Sequence, residues 1–205
     1  MLTFFPRAAM DTLTAKVQLR KQLRSARRGL SAQQQTLASD RLLRVIKPLL
    51  GQSRKRRIAL YTAMDGEIDL SPLIAACRRW QIELYLPVLH RFKNSLLFAR
   101  YDATGPLRPN KYGIPEPYQA VLIKPWQLNL ILLPLVGFDQ QGGRLGMGGG
   151  YYDRTFANAQ RWPRRPALLG VAHECQKVGH IPLAAWDIQL DGVVSDRHFY
   201  PNHPA

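Results

Sequence analysis

The hydrophobic pattern of this chain switches from helical spacing to short unbroken apolar runs, and each switch marks an element. From Leu13 to Arg28 no Gly or Pro interrupts; Leu19, Leu23, Ala26 and Leu30 recur at helical spacing, with Lys16, Arg20, Arg24 and Arg27 on an adjacent stripe. The pattern predicts an amphipathic helix with one basic edge, which either solvates that face or lets Lys16 and Arg20, one turn apart, reach a phosphate together. Ser31 and Gln34 form the Ser-x-x-Gln of a capping box. A second helix follows through Ala38, Leu42, Val45 and Leu49, bent or stopped at Pro48. These two helices make an N-terminal hairpin.

Beyond Arg54-Lys55-Arg56-Arg57 the period changes. Ile58-Ala59-Leu60-Tyr61 reads as a buried strand, Ser71-Pro72 to Trp80 as a helix with proline in its first turn, and Ile82 to Pro87 as the next strand. A strand, loop, helix and strand in about 30 residues make a βαβ unit, so the sheet is at least partly parallel. Ligands of such sheets bind beyond the carboxyl ends of the strands, where Thr62 to Glu67 falls. Leu96 to Ala99 predicts a strand turned back by Asn94-Ser95, and the proline-rich Gly105 to Pro125 an ordered surface loop whose stiff Tyr112 to Pro117 core walls a pocket. Leu130 to Leu133 and Leu168 to Val171 read as buried strands, and Val193-Val194-Ser195 with His198-Phe199-Tyr200 as a closing pair. The fold class is α/β, a single open, mostly parallel Rossmann-like sheet flanked by helices, over residues 13–205. Residues 1–12 read as a loose tail, with Met10 an alternative start.

Composition narrows the class. With 205 residues and 46% hydrophobic positions the chain can fill the core of one α/β domain. Cys77 and Cys175 lie far apart and no secretory leader is evident, so a reduced, cytoplasmic compartment is expected. The longest apolar run, Leu130 to Phe138, is broken by Pro134 and too short to span a bilayer. A formal charge of +15, from 29 Lys+Arg against 14 Asp+Glu, favours anionic partners such as nucleotides, carboxylate-rich metabolites or nucleic acid. It also leaves few carboxylates for any task that needs one.

The richest chemistry lies in the glycine-rich stretch from Gly142 to Arg154. A strand that ends in a side-chain-free loop and turns into a helix at Tyr151 gathers backbone N–H groups around one concavity, with a helix dipole behind them, and so seats phosphate. The loop lacks the Lys-Ser/Thr ending of a Walker motif, and Gly146-x-Gly148-x-Gly150 has the wrong spacing for a Rossmann fingerprint. A tight turn alone would also use glycine. Arg144 and Arg154 flank the loop, however, and Asp153 stands where the helix begins, able to hold Mg²⁺ against a polyphosphate.

Leu133-Pro134-Leu135-Val136-Gly137-Phe138-Asp139 followed by Gly142 through Arg154 resembles the signature of the 5-formyltetrahydrofolate cyclo-ligase family. Lys16-x-x-x-Arg20, the Glu67 turn, Gly113-Ile114-Pro115-Glu116-Pro117, Gln176 and Trp186 through Asp191 follow in the family's order, and the likeness runs from about Leu13 to Val194. The resemblance implies an ATP- and Mg²⁺-dependent ring closure of 5-formyltetrahydrofolate to 5,10-methenyltetrahydrofolate through a phosphorylated formyl group. It assigns ATP binding to Lys16, Arg20 and the loop Arg144, Leu145, Gly146, Met147, Gly148, Gly149, Gly150, Tyr151 and Tyr152, with Lys16, Arg144 and Tyr152 catalytic. Thr62, Glu67 and Tyr151 fall at positions that line the folate pocket, and Asp153 and Asp187 at the Mg²⁺ carboxylates. The partners implied are ATP and the folate, with or without a polyglutamate tail; neither membrane nor nucleic acid is expected. Some members carry Arg or Lys where this chain has Met147 and Gly149, so backbone N–H groups or other cations, Arg154 and Lys16 among them, must neutralise the phosphate.

Other features read as structural. His173-Glu174 lacks the second His of a zinc helix, since position 177 is Lys. Cys175 reads as a buried thiol, Asp191 as a turn residue or a ligand, and the four tryptophans as core or pocket packing. A basic nucleic-acid binder built on Arg54 to Arg57 lacks a reading element, and a sugar-phosphate or CoA enzyme rests on fold analogy alone.

Overall fold

The run Leu130-Ile131-Leu132-Leu133 is apolar at every position because both of its faces are covered. It forms a strand, Leu130–Pro134, in the middle of an eight-stranded sheet. Leu130 and Leu132 enter one core cluster, while Ile131 and Leu133 enter the cluster on the opposite face. The computed structural model describes residues 7–50, 56–184 and 186–202. Its helices are α1 (Arg7–Arg28), α2 (Ala32–Leu50), α3 (Ser71–Arg79) and α4 (Tyr151–Phe156). Its strands are β1 (Arg57–Ala59), β2 (Glu83–Leu89), β3 (Leu96–Arg100), β4 (Leu107–Pro109), β5 (Pro115–Pro117), β6 (Leu122–Ile123), β7 (Leu130–Pro134), β8 (Gly137–Phe138), β9 (Arg144–Leu145), β10 (Ala167–Ala172), β11 (Gly192–Ser195) and β12 (Phe199–Pro201).

The sheet order is β12-β11-β10-β7-β1-β2-β3-β6, with β11, β10, β7, β1 and β2 parallel and the strands outside them antiparallel. The predicted α/β class, mostly parallel sheet and βαβ unit of β1, α3 and β2 are all present. After β1 the chain moves toward β2; after β7, its neighbour, it moves the other way to β10. Loops that leave adjacent strand ends in opposite directions open a crevice between them.

The helical hairpin forms as its sequence predicts. Ser31 Oγ accepts the Gln34 N–H at 3.2 Å, and Gln34 Oε1 accepts the Ser31 N–H at 2.8 Å, closing the capping box. α1 begins at Arg7, ahead of the expected Leu13. Pro48 does not stop α2, which continues to Leu50; near a C-terminus the lost N–H costs a single bond to the preceding turn. The buried stripe of α2 is Ala38, Leu42, Ile46 and Leu50, with Val45 and Leu49 at its edge. The basic run from Arg54 is described only at Arg56 and Arg57, the latter 3.4 Å from Glu83; its first two residues lie outside the described residues. The region predicted as an irregular loop from Gly105 holds a short antiparallel ribbon of β4 and β5. Glu116 ties the ribbon to the sheet by accepting the Leu89 N–H at 3.0 Å.

Gly170, in the middle of β10, lets the segment before β11 cross the sheet closely. A Cβ there would stand 2.3 Å from Leu135 Cδ2 and 2.8 Å from Leu190 Cδ1. Gly170→Ala is therefore expected to lower stability by about 1–3 kcal/mol in urea unfolding, as overpacking does. An unchanged midpoint would mean that the Leu135 and Leu190 side chains yield freely.

Candidate functional site

The crevice at the diverging ends of β1 and β7 is the mouth of a cleft of about 2040 Å³, lined by Lys16 and Arg20 of α1, Thr62 and Glu67 after β1, Pro134 through Tyr152, and Trp186 through Gln189. The wall after β1 is a tight turn. Glu67 N–H donates to Met64 O at 3.0 Å, and the two central residues, Asp65 (φ 55) and Gly66 (φ 79), both have positive φ. α1 packs over this turn. Arg24 Nε donates to Asp65 Oδ2 at 2.8 Å, Arg28 also binds that carboxylate, and Arg27 donates to both its side chain and its carbonyl at 2.8 Å. Burial pushes the Asp65 carboxyl up, but hydrogen bonds from Arg24, Arg28 and Arg27 outweigh it and hold the pKa at about 2. Glu67 faces the cleft with one oxygen accepting the Met64 N–H at 3.1 Å. Burial dominates there and lifts its pKa to about 7, against that bond and the nearby Arg27 charge.

The opposite wall is the glycine loop. β8 and β9 pair as a small hairpin, and the buried Asp139 fixes its turn: Oδ1 accepts the N–H groups of Gln141 and Gly143 at 3.0 and 2.8 Å, while Oδ2 accepts Ile181 N–H at 2.8 Å. Gly148 and Gly150 then take positive φ of 95° and 61°, which residues with side chains adopt only under strain. Among the described residues, no hydrogen bond uses the N–H groups of Met147 through Gly150, so these donors are available at the cleft wall. α4 has only six residues, so this set of donors, more than a long helix dipole, makes the seat for an anion. Arg20 donates from α1 to Gly146 O at 2.8 Å with its guanidinium under Gly148, and Arg154 binds Gly149 O. Cations thus flank the loop even though Met147 and Gly149 carry none.

Two ion pairs cross the cleft floor. Lys16 Nζ donates to Asp187 Oδ2 at 2.6 Å, and Arg144 pairs with Asp153 Oδ1. Lys16 and Arg144 are only 7% and 6% exposed, which removes the solvated-face reading of the α1 stripe at this end. Arg144 Nε is buried without a partner, an unmet donor beside the loop. The two carboxylates are neighbours, since Asp153 Oδ1 also accepts the N–H of Ile188, next in chain to Asp187. All their hydrogen bonds among the described residues use one oxygen each, Oδ1 of Asp153 and Oδ2 of Asp187. Two adjacent carboxylates, each with an oxygen to spare, fit a hard divalent cation that takes its remaining ligands from phosphate and water. No group of three or more His, Cys, Asp or Glu side chains forms a self-sufficient metal site among the described residues.

The cleft gathers every residue singled out in the sequence as a site candidate: Lys16, Arg20, Thr62, Glu67, Arg144 through Asp153, and Asp187. Tyr152 is half-buried and its phenol is held protonated well above its ordinary range, first by burial and then by the Glu67 charge. Tyr151 stands at the rim, its hydroxyl 2.9 Å from that of Tyr112, so the Tyr112 to Pro117 wall does reach the loop. Asp191 lies in a structural role, accepting Leu168 N–H at 2.7 Å. Cys175 is exposed, not buried: its short 3₁₀ turn sends Gln176 inward and turns the thiol out. Trp186 is 70% exposed at the cleft edge, while Trp126 and Trp162 pack together at 5.5 Å. Sequence reasoning missed Arg27, fully buried behind the Glu67 turn, and Gln176, whose amide donates to Leu135 O and Val136 O at 2.8 and 2.9 Å where the chain leaves β7. The signal for Arg27 was present: an Arg on the buried side of a helix in a chain with few acids.

Comparison with known proteins agrees with this geometry. The model of the 5-formyltetrahydrofolate cyclo-ligase family matches residues 12–196. A 5-formyltetrahydrofolate cyclo-ligase of Haemophilus influenzae is 40% identical over 176 residues, covering 84% of this chain and 93% of the relative. One of Escherichia coli K12 is 38% identical over 180 residues, covering 84% and 96%. The NMR structure of Aquifex aeolicus 5,10-methenyltetrahydrofolate synthetase superposes with a TM-score of 0.79 at 30% identity, covering 93% of this chain and 94% of that one. No helix among the described residues is long and apolar enough to cross a membrane.

The raised Glu67 pKa has a measurable cost. Between its ordinary value of 4.5 and about 7 the folded chain keeps a proton that the unfolded chain has released, so Glu67 makes stability fall as pH rises through that window and adds no further loss above it. The loss is on the order of 3 kcal/mol at most. Glu67→Gln is expected to flatten the fall of thermal stability between about pH 5 and pH 7.5; a slope identical to wild type would place the Glu67 carboxyl in water.

Proposed function

The chain belongs to the 5-formyltetrahydrofolate cyclo-ligase family, its activity is that of such a ligase, and on that premise we propose how the cleft performs it: ATP binds along the glycine loop, the folate binds against the Glu67 turn, and the formyl oxygen meets the γ-phosphate between them. The observation that carries this reading is the convergence of unmet anion donors, the N–H groups of Met147 to Gly150 and Arg144 Nε, on a wall directly across from a buried carboxylate. A formamide oxygen is a poor leaving group, so it must be activated before the ring can close. Its oxygen attacks the γ-phosphorus, a new O–P bond forms, and the bond to ADP breaks. The N5 lone pair delocalises into the formyl carbon, which gives an iminium phosphate. N10 then adds to that carbon and loses its proton, the C–O bond breaks, and phosphate leaves the 5,10-methenyl product.

Each named residue has a task in this sequence. Lys16, Arg20 and Arg144 bind the triphosphate and offset the charge that gathers on the transferring phosphoryl group. Arg154 anchors the loop from its outer side through Gly149 O and Asn94 O. Tyr152, held protonated, donates toward the phosphoryl oxygens. Asp153 and Asp187 would hold Mg²⁺, which when bound supplies charge neutralisation at the β- and γ-phosphates. Because these carboxylates pair with Arg144 and Lys16 in the free chain, both cations are released toward phosphate as the carboxylates turn to the metal. Glu67, with Thr62 beside it, accepts from the donor-rich edge of the pterin, and Tyr151 covers the substrate at the rim. The remaining work is to hold N10, the formyl carbon and phosphorus in line.

The product absorbs in the near ultraviolet, so the reaction is followed directly. Absorbance growth from 5-formyltetrahydrofolate is expected only with ATP and Mg²⁺ both present, and growth without ATP would overturn the reading. Arg144→Ala is expected to lower kcat/KM for ATP by roughly 10²–10³-fold while leaving folate affinity within a few-fold, as loss of one such donor does. Glu67→Gln is expected to do the reverse in calorimetry, weakening folate and sparing an ATP analogue. Equal loss of both ligands in either variant would mean that the two walls are misassigned.

A further inference from the structure

Arg27 is fully buried and lines no part of the cleft, yet its guanidinium touches both loops that form it. A cation removed from water needs its donors met and its charge balanced. Nε donates to Asp65 O at 2.8 Å and Nη2 to Asp65 Oδ2 at 2.8 Å, while Nη1 donates to Leu135 O at 3.3 Å, the residue that follows β7. Nη2 also stands 3.7 Å from Glu67 Oε1. One planar fork therefore spans the ends of β1 and β7 and reaches the carboxylate at the cleft wall. Gln35 of α2 steadies the joint by donating to Arg27 O at 3.3 Å and Gly66 O at 3.2 Å. Lysine could not reproduce this, having no second arm with which to bridge two loops.

We propose that Arg27 is the positioning residue of the folate end of the cleft: from behind the wall it fixes where the Glu67 carboxylate stands and favours its charged form for the substrate. This rests on the reading above that the pterin meets Glu67. The groups that act on Glu67 come from several elements. Arg27 on α1 favours its charge, and Asp65 on the same turn opposes it. Tyr61 at the end of β1 and Tyr152 of α4 face it as neutral phenols, with Asp69 acting on Tyr61 and Arg144 on Tyr152. His173, after β10, has its ring Nε2 3.1 Å from Gly66 O, and burial lowers its pKa so that it adds no cation at neutral pH. Arg24 and Arg28 reach the turn only through Asp65. Arg27 is thus the cation in van der Waals range of the Glu67 carboxylate, and Asp65 the nearby anion.

The two neighbours have opposite signs, and this separates positioning from mere bracing. Glu67 is followed by ¹³C NMR of side-chain carboxyls in the ligand-free, full-length chain, its signal assigned by its absence in Glu67→Gln. Arg27→Met is expected to raise its titration midpoint by about one pH unit, and Asp65→Asn to lower it. The pH at which 5-formyltetrahydrofolate binding is half-lost is expected to follow in the same directions. If Arg27→Met does not fold, Asp65→Asn carries the test together with Arg27→Lys, which keeps the midpoint near wild type but weakens folate binding several-fold because the fork is lost. A Glu67 midpoint unmoved in Arg27→Met and Asp65→Asn overturns the proposal, and a brace without electrostatic reach would give that result. Midpoints that shift while folate binding ignores them overturn the placement of the pterin on Glu67 and leave the Arg27–Glu67 coupling standing.

Discussion

Two ion pairs across the cleft floor, Lys16 with Asp187 and Arg144 with Asp153, are the interaction on which the site depends. A chain with 29 basic and 14 acidic side chains cannot bury cations casually, because each needs an anion when no ligand is present. Here the anions come from two segments far apart in sequence, α4 and the crossing before β11, and they draw those segments onto α1 and the glycine hairpin. The pairing holds the cleft together while it is empty. It also keeps the phosphate-binding charges out of bulk water, where they would be screened, and sets them beside the carboxylates proposed to receive Mg²⁺. A polyphosphate entering with its cation exchanges partners without leaving any charge bare.

The fold supplies the place where this exchange occurs. Five parallel strands expose their carboxyl ends on one side, and the chain leaves β1 and β7 in opposite directions. The loops that diverge there carry the two halves of the site, a carboxylate on one wall and backbone donors on the other. Loops parted in this way would gape unless something joined them behind the cleft. Arg27 and Gln176 do so, both ending on the carbonyl of Leu135. Asp139 performs the corresponding task for the glycine hairpin, with three backbone N–H groups on one buried carboxylate.

What the sequence discloses follows from how local each interaction is. The Ser31–Gln34 capping box, the α3 crossover and the glycine loop are contained in a few residues, so their residue types reveal them. The apolar run of β7 announces burial on both faces because no polar position interrupts it. Arg27 reads as part of a solvated stripe because its partners at Asp65 and Leu135 stand 38 and 108 positions away. Gln176 falls in the same category, 41 positions from Leu135. The ribbon of β4 and β5 escapes because its prolines mask any period of two, and Cys175 because a single 3₁₀ turn decides which neighbour points inward. Residue chemistry gives the walls of the site, while the braces behind them come only with the tertiary structure.

The central claim is that the formyl oxygen itself takes the phosphoryl group inside this cleft. Turnover of 5-formyltetrahydrofolate carrying ¹⁸O in the formyl group, with the released phosphate read by mass spectrometry, tests it most directly. The account predicts one ¹⁸O in each phosphate released during a single turnover. Unlabelled phosphate, with the isotope recovered in water, would contradict it.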